Sequence, residues 1–425
     1  MKKSGEALLQ MARTALEKAG AHSKMAEAAA RHLVQAEEQG LATHGMSRVP
    51  FYCGMLRNGR ADGSARPAMV SDKAAVCLID NADGLPYESC AWAIEEVIQR
   101  ARRNGIGFAG IRNSAHVGVL GIHLQKVAAA GMVGVAFTNS PAAIPAWGGK
   151  KALFGTDPVA FAFPRRDAEP IVVDLALTTV VRGKIMMAMQ KGEKIPEGWA
   201  NDRHGKPTTD PKEAIEHGSL FAIGGAKGAM LALAFELICA ALTGAAIGPE
   251  ADSFFSEKGN KPRIGQAFLA IDPSALAGRE KYLERVETVV RTMLADEGVR
   301  LPKEKILFVV DLVPVGTFPG RGMIDFYPLE AMDSLKRIEA MEFDRLIPGH
   351  PGAPNGRLGT KQDVADQLTL QTHVSERVRE AAQQGKCWEP VEKEMQFDKY
   401  KDMPGYASGL PMVLRRYCAL WGRGT

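Results

Sequence analysis

The sequence predicts an α/β protein built on a mixed sheet, with a helical segment before it and a tail of different character after it. Three observations lead there. Short apolar runs of strand length, such as KAAVCLID at 73–80, GFAGIRNS at 107–114 and IVVDLALTT at 171–179, alternate with segments whose apolar residues recur at helical spacing. Glycine makes up 44 of the 425 residues and clusters between those runs, which calls for many turns and loops. Residues 97–156 contain no Asp or Glu, yet carry seven Lys and Arg residues as well as His116 and His123.

The totals bound the class. A chain of 425 residues can hold two or three domains with sizeable cores. A hydrophobic share of 46% and a charged share of 24% describe an ordinary globular protein. The net charge of +4 is mild and does not point to nucleic acid, which calls for a concentrated basic face. Cys53, Cys77, Cys90, Cys239, Cys387 and Cys418 are widely spaced and form no C-x-x-C. That pattern predicts free thiols in a reducing cytoplasm. The start, MKKSGEALLQ, is amphipathic and does not read as a secretory leader. The apolar stretch 228–248 is long enough to span a bilayer, but it is dominated by Ala and Gly and contains Glu236. It reads as a buried core helix, so no membrane partner is expected.

Residues 4–40 read as helices, with Leu8, Leu9, Met11, Ala12 and Leu16 on one face and Met25, Ala29 and Leu33 on another. Gly20 and Gly40 punctuate them. Thr43-His44-Gly45 follows, with Arg48 four residues beyond His44. Helical backbone here would put His44 and Arg48 on one face. The pair suits a general acid beside a carboxylate clamp, or a plain capping segment. A strand at 73–80 and a helix at 87–103 come next. Gly105-Ile106-Gly107-Phe108-Ala109-Gly110 matches G-x-G-x-x-G literally, but it follows a helix, and no acid lies about twenty residues on to hold a ribose. It reads instead as a turn into the strand GFAGIRNS. Helix 122–130, strand 132–138, a Pro/Gly loop at 141–149, and strands 158–164 and 170–175 complete the sheet pattern. Asp174 ends a strand, where it can bind ribose or cap the next helix. Arg182-Gly183-Lys184 leads into a helix, and 192–210 is a polar loop. Gly224-Gly225-Ala226-Lys227-Gly228 opens the long apolar helix as an anion site or a glycine-rich turn. Strand 265–271 and helix 282–297 close this part.

The acid-free block holds the most motif-like strings, NSAHVG at 113–118 and TNSP at 138–141, with GTDP at its edge. Many donors, a titratable His and no negative charge read as an anion-binding active-site region.

Taken together, Thr43-His44-Gly45 with Arg48, NSAHVG, TNSP, GTDP at 155–158, VVDLALT at 172–178, IPEGWANDRHGKPTTD at 195–210 and IGGAKGAM at 223–230 resemble the malate/L-lactate dehydrogenase family of type 2. The resemblance runs over about residues 4–302, with the motifs in family order and spacing. It implies a non-Rossmann NAD(P)-binding oxidoreductase fold with a largely antiparallel mixed sheet and a helical domain. It also implies a homodimer, NAD or NADP as cofactor, and a small 2-oxo or 2-hydroxy acid, or a cyclic imino acid, as substrate. Carried over by residue, His44 and His116 become the proton donor/acceptor candidates and Arg48 the carboxylate clamp. Ser140, Thr156, Asp174, Leu175, Ala176, Thr178, Lys227 and Gly228 match cofactor-contacting positions. Members more often have Ser before His44 and Asn in place of Asp157. The chemistry agrees with the residues: hydride transfer needs a proton carrier and a fixed carboxylate.

The chain changes character after Leu301-Pro302. Residues 303–425 resemble the C-terminal half of a metallo-β-lactamase-fold hydrolase, with a strand ending in Asp311, a helix at 329–341 and the loop Ile347-Pro348-Gly349-His350. Asp311 and His350 match metal ligands of that family, but its H-x-H-x-D-H string is absent from the 425 residues. They are therefore vestigial candidates and no metal is expected. Residues 361–386 read as a charged helix, and 388–425 as irregular with a final apolar turn at 413–421. The expected layout is 1–302 as the oxidoreductase, helical to about 70, and 303–425 as an incomplete α/β tail. The alternative is an inactive or repurposed fusion with a degenerate metallohydrolase tail.

Overall fold

The computed structural model describes residues 4–254, 258–296, 301, 306–309, 315, 317–319, 328–341, 343, 345–348 and 359–422. Asp311 and His350 lie outside the described residues. The chain divides into two units, Met1–Thr292 and Met293–Thr425. The division falls inside the helix Arg279–Leu294, ahead of Leu301-Pro302.

The first unit opens with three helices, α1 (Gly5–Lys18), α2 (Ser23–Glu38) and α3 (Val49–Arg57). Ser4 caps α1 by accepting from the Ala7 N–H, and the His22 ring caps α2 by accepting from the Met25 N–H. Their apolar faces, including Leu16, Met25, Leu33, Tyr52 and Met55, share one core.

A seven-stranded sheet follows. Its strands are β1 (Ala68–Lys73), β2 (Val76–Asp80), β3 (Ile106–Ser114), β4 (Val133–Thr138), β5 (Val159–Phe163), β6 (Ile171–Leu175) and β7 (Ile264–Ile271). In space they run β1-β2-β3-β7-β4-β5-β6. Every neighbouring pair is antiparallel except β2 and β3. The sheet is thus mixed and largely antiparallel, as the resemblance implied. Helices α4 (Tyr87–Asn104) and α5 (Leu120–Ala129) pack on it over a core containing Ile94, Val97, Leu124, Val127 and Phe268.

The glycine string after α4 does what a turn needs. Gly105 ends the helix at φ +79°, and a Cβ on Gly107 would sit 2.3 Å from the Val97 carbonyl. The glycines serve a left-handed helix end and a close helix–strand approach, not a phosphate. The run 73–80 is a correction: it spans a hairpin, with Ala74 at φ +43° between β1 and β2. No glycine or proline marks that turn.

The apolar segment after Gly225 forms α6 (Ala226–Glu236) and continues as a π-helical turn, Leu237–Ala241. It is not a fully buried helix. Gly228, Ala229, Ala232, Glu236 and Cys239 face inward, while Leu231, Leu237 and Leu242 are 47%, 53% and 66% exposed. Its small residues form the inner face and allow close packing, which leaves the large ones outside. Among the described residues no helix is long and apolar enough to cross a membrane.

The second unit carries a parallel strand pair, Ile306–Val309 with Arg345–Pro348, and the helix Pro328–Glu339 between them in sequence. Helices Lys361–Gln383, Glu389–Glu394 and Tyr406–Trp421 follow. The expectation of irregular chain over 388–425 is corrected. Leu410, Val413, Leu414 and Tyr417 pack on Leu370, Val374 and Val378, and this burial carries a helix through Pro411. The free-thiol expectation is also corrected for two cysteines. Cys387 and Cys418 form a disulfide, while Cys53, Cys77, Cys90 and Cys239 are free and buried.

Candidate active site

The proton-carrier candidates come from two places in the chain. His44 ends a short 3₁₀ turn, Ala42–His44, and Arg48 ends another, Met46–Arg48. Gly45 breaks the backbone between them at φ −96°, ψ −138°, so they do not lie on one continuous helix. They still converge. Arg48 Nε donates to the Thr43 carbonyl at 2.8 Å, and Thr43 Oγ1 lies 3.1 Å from His44 Nδ1. His116 follows the end of β3. Its ring stacks on His44 with centroids 5.7 Å apart and planes 23° apart. The structure therefore brings His44, His116 and Arg48 to one place.

Both imidazoles are neutral in this setting. Burial, with Arg48 beside it, lowers His44 to about 4. Burial, Arg48 and His44 together hold His116 well below the ordinary imidazole value. A neutral imidazole has one N–H and one lone pair, so the tautomer decides whether it gives or takes a proton.

Residues the sequence reading passed over set that tautomer. The Tyr52 hydroxyl lies 2.6 Å from His116 Nδ1 and 2.6 Å from the Tyr87 hydroxyl. Burial pushes Tyr52 up to about 12, so it remains a hydroxyl. If Tyr87 donates to Tyr52, then Tyr52 donates to Nδ1 and His116 carries its proton on Nε2. If the chain runs the other way, Nε2 offers a lone pair. Tyr52 lies one helical turn after Arg48, as Arg48 lies four residues after His44, and that spacing was the missed signal. Phe254 closes edge-on against His116 at 5.3 Å. The loop bearing it is anchored by Arg60, whose guanidinium donates to the carbonyls of Asp252, Ser253 and Asn260.

Behind Tyr87 lie His32 and His123, stacked at 4.3 Å. His32 Nε2 accepts from the Val119 N–H, and His123 Nε2 donates to the Val117 carbonyl. Both are lowered by burial and serve to hold the 117–119 backbone after His116.

The positions matched to a cofactor also meet. Ser140 Oγ accepts from the Thr156 N–H at 2.9 Å, and the two hydroxyls are 3.3 Å apart. The Leu177 N–H donates to the Thr156 carbonyl, and the Ile223 N–H to the Leu177 carbonyl. Thr178 bridges Ala222, and its buried hydroxyl has no hydrogen-bond partner among the described residues. Leu175 and Ala176 lie at the open end of this seam, Leu175 being 37% exposed. Ile223 leads directly to the glycines that open α6. Gly224 and Gly225 lie at φ +62° and +63°, and Lys227 is exposed in the first turn. Gly228 admits no side chain, since a Cβ would sit 1.9 Å from the Ile223 carbonyl. A glycine loop, a helix start and an exposed Lys fit a dinucleotide phosphate. The orphaned Thr178 hydroxyl supplies an unused hydrogen-bonding group beside it. Asp174 Oδ2 accepts from the Gly121 N–H at 2.7 Å and so holds the start of α5, and the side chain stays exposed at the strand end.

Three of the seven cations of the acid-free block are engaged by acids from outside it. Arg100 pairs with Asp72 and Glu96, Arg112 with Asp80, and Lys126 with Glu95. Arg102, Arg103, Lys150 and Lys151 remain exposed. Among the described residues no group of His, Cys, Asp and Glu could hold a metal ion.

Comparison with known proteins agrees with this geometry. The sequence profile of the malate/L-lactate dehydrogenase family matches residues 4–308. The chain is 46% identical over 292 residues to (2R)-3-sulfolactate dehydrogenase (NADP(+)) of Chromohalobacter salexigens, covering 69% of this chain and 86% of that one. It is 34% identical over 286 residues to the Delta(1)-pyrroline-2-carboxylate/Delta(1)-piperideine-2-carboxylate reductase of Pseudomonas putida, covering 67% and 84%. Among solved structures, Delta(1)-piperideine-2-carboxylate reductase of Pseudomonas syringae aligns with a TM-score of 0.67 at 31% identity, over 71% of this chain and 91% of that one. From motifs, fold and relatives alike, the chain belongs to the malate/L-lactate dehydrogenase family and is an oxidoreductase that depends on NAD or NADP.

Proposed function

We propose that the chain interconverts a small 2-hydroxy acid and its 2-oxo acid with NADP, and that a hydroxy acid bearing a second anionic group, of the 3-sulfolactate kind, is its preferred substrate. The observation that carries the reading is the stack of His44 on His116 with Arg48 beside both. The 46% identity to a sulfolactate dehydrogenase supports the substrate class and the choice of NADP. The nicotinamide, when bound, accepts or gives the hydride. Arg48 fixes the carboxylate. His116, with His44 against it, moves the proton at the substrate oxygen, and the Tyr52–Tyr87 pair reverses polarity with the direction of reaction. Phe254 excludes water from that proton. Ser140, Thr156, the 174–178 segment and Lys227 with Gly228 hold the dinucleotide.

The test is NADP⁺ reduction with sulfolactate, malate and lactate, and NADPH oxidation with pyruvate, oxaloacetate and a cyclic imino acid. Wild type is compared with His44→Gln and His116→Gln. Unchanged activity in both variants would sink the assigned roles. A preference for the imino acid would move the substrate to the class named for the Pseudomonas putida relative.

We further infer a homodimer. The outward face of α6 and its continuation, Leu231, Leu237 and Leu242 among them, is a contiguous apolar strip of the kind that a second copy covers. Residues 303–425 we read as an appended half of a metallo-β-lactamase-like hydrolase without a metal role. The parallel strand pair with a helix between its strands in sequence supports that reading. A nicotinamide-dependent reaction of this type draws on cytoplasmic cofactor pools. A chain ending near residue 302 that keeps NADPH binding and activity supports this layout, and one that loses both refutes it.

A further inference from the structure

Beneath Ser140 and Thr156 lies a pair of acids that the cofactor contacts leave unexplained. Asp157 is 0% exposed and Glu236, on the inner face of α6, is 5% exposed. Glu236 Oε1 accepts from the Asn139 side-chain amide at 3.1 Å and from the Gly248 N–H at 2.8 Å. Among the described residues its other oxygen and both oxygens of Asp157 are buried without a well-formed hydrogen bond, while the two carboxyls lie within reach of each other and of the Ser140 and Gly155 backbone. The groups that face the pair are the Cys239 thiol, the Asn139 amide, and the backbone around Ser140, Gly155 and Gly248. None of these is a cation.

Two adjacent carboxylates cannot both stay ionised in such a place. One proton between them converts the clash into an O–H···O⁻ hydrogen bond and gives Glu236 Oε2 its missing donor. The position is structurally loaded. Asn139 precedes Ser140, Asp157 follows Thr156, and Asn139 Oδ1 also accepts from the Gly265 N–H of β7 at 2.9 Å. Asp157 itself sits at φ +34°, a region where Asp and Asn are the least strained side chains.

We propose that Asp157 is a positioning residue: it shares a single proton with Glu236, and that protonated pair keeps Ser140 and Thr156 in the geometry the cofactor requires. The proposal rests on the reading that Ser140 and Thr156 contact the cofactor. Burial and the adjacent Glu236 push Asp157 well above the carboxylate range, and burial raises Glu236 as well. The folded pair therefore keeps a proton that the unfolded chain has already released. Stability from this pair falls as pH rises from the ordinary carboxylate range toward the raised one.

The test uses the full-length protein, wild type against Asp157→Asn and Glu236→Gln, between pH 5.5 and pH 9.5. Two quantities are read: melting temperature without cofactor, and NADPH affinity by fluorescence titration. The wild-type melting temperature should fall relative to Asp157→Asn by roughly 3 °C per pH unit while the proton is being lost. Wild-type NADPH affinity should weaken over the same range, and the Asp157→Asn affinity should stay flat. Parallel melting curves for wild type and Asp157→Asn overturn the shared proton. A melting difference with pH-independent affinity in both proteins overturns the positioning role. Absence of NADPH binding at every pH overturns the cofactor reading instead, and the melting data still judge the pair. Glu236→Gln removes the charge that adds to burial in raising Asp157, so the same pH dependence should move to lower pH, and an unmoved dependence overturns the shared proton even where Asp157→Asn does not fold.

Discussion

The Tyr52 hydroxyl offers a sharp test of how His116 is held. Tyr52→Phe removes one oxygen and leaves the ring packing intact, so no cavity of consequence forms. Two short contacts disappear, each 2.6 Å, to His116 Nδ1 and to the Tyr87 hydroxyl. Tyr87 is 2% exposed, so water does not readily replace the lost partner. An orphaned buried polar group costs about 1–3 kcal/mol, and here two groups are orphaned. The expected loss is about 2–4 kcal/mol, or roughly 5–10 °C in melting temperature for a unit of this size. Freed of Tyr52, His116 samples both tautomers, and kcat should drop about 10- to 100-fold, as when an imidazole loses its orienting partner. Cofactor affinity should hold. Differential scanning calorimetry and steady-state kinetics read both effects. A melting temperature within about 1 °C of wild type together with kcat within about twofold would refute the tyrosine chain as the orienting device.

Other expectations follow from neighbouring contacts. Arg48→Ala should raise KM for the carboxylate substrate about 10- to 100-fold, the worth of a charge-assisted clamp, with cofactor affinity unchanged in titrations. Arg60→Ala should cost about 2–4 kcal/mol, since three carbonyls lose their donor, and should lower kcat by loosening Phe254 over His116. Chemical denaturation and kinetics check the two halves of that statement. Burial lowers His44 and His123 to about 4 in the folded protein, below the ordinary imidazole value, so the folded state binds fewer protons than the unfolded one. Stability should be fully present above about pH 6.5 and decline as pH falls toward 4, by on the order of 3 kcal/mol for each ring, in acid unfolding followed by circular dichroism. Cys387 and Cys418 enclose a separation of 31 residues, so reduction or Cys387→Ser should destabilise the second unit by about 3–4 kcal/mol. A melt with and without reductant should show that shift in one transition only.

Much of this site could be read before the fold was seen. Motif strings carried His44, Arg48 and His116, and the periodicity placed α4, α5, β3 and β4 near their observed bounds. What escaped had physical reasons. Tyr52 and Tyr87 look like core aromatics in any sequence, and only their mutual hydroxyl contact makes them functional. The partners of Arg100, Arg112 and Lys126 in the acid-free block were not legible, because sequence shows charge but not pairing. Asp72, Asp80, Glu95 and Glu96 lie outside the block in the chain and beside it in space. The outward face of α6 was invisible because an Ala/Gly-rich helix has no polar side to mark solvent. The last helix was missed because Pro411 and nearby glycines signal breaks locally, while the pull of Leu370 and Val374 is tertiary. The bond from the Gly121 N–H to Asp174 was not legible either, because it joins residues more than fifty positions apart.

One feature of the sheet bears on how the protein is made. β7, the last of its strands to be synthesised, lies between β3 and β4 in its middle. Until residue 271 has left the ribosome, β3 and β4 each present an unsatisfied backbone edge with an apolar face behind it. The nascent chain must carry two half-sheets from Leu175 until Ile264–Ile271 emerges, a window in which chaperone binding competes with aggregation. Closure then occurs by insertion of one strand between two others, a long-range step that is slow for topological reasons. Expression at lower temperature, or with added chaperone, should raise the soluble yield more than any surface mutation.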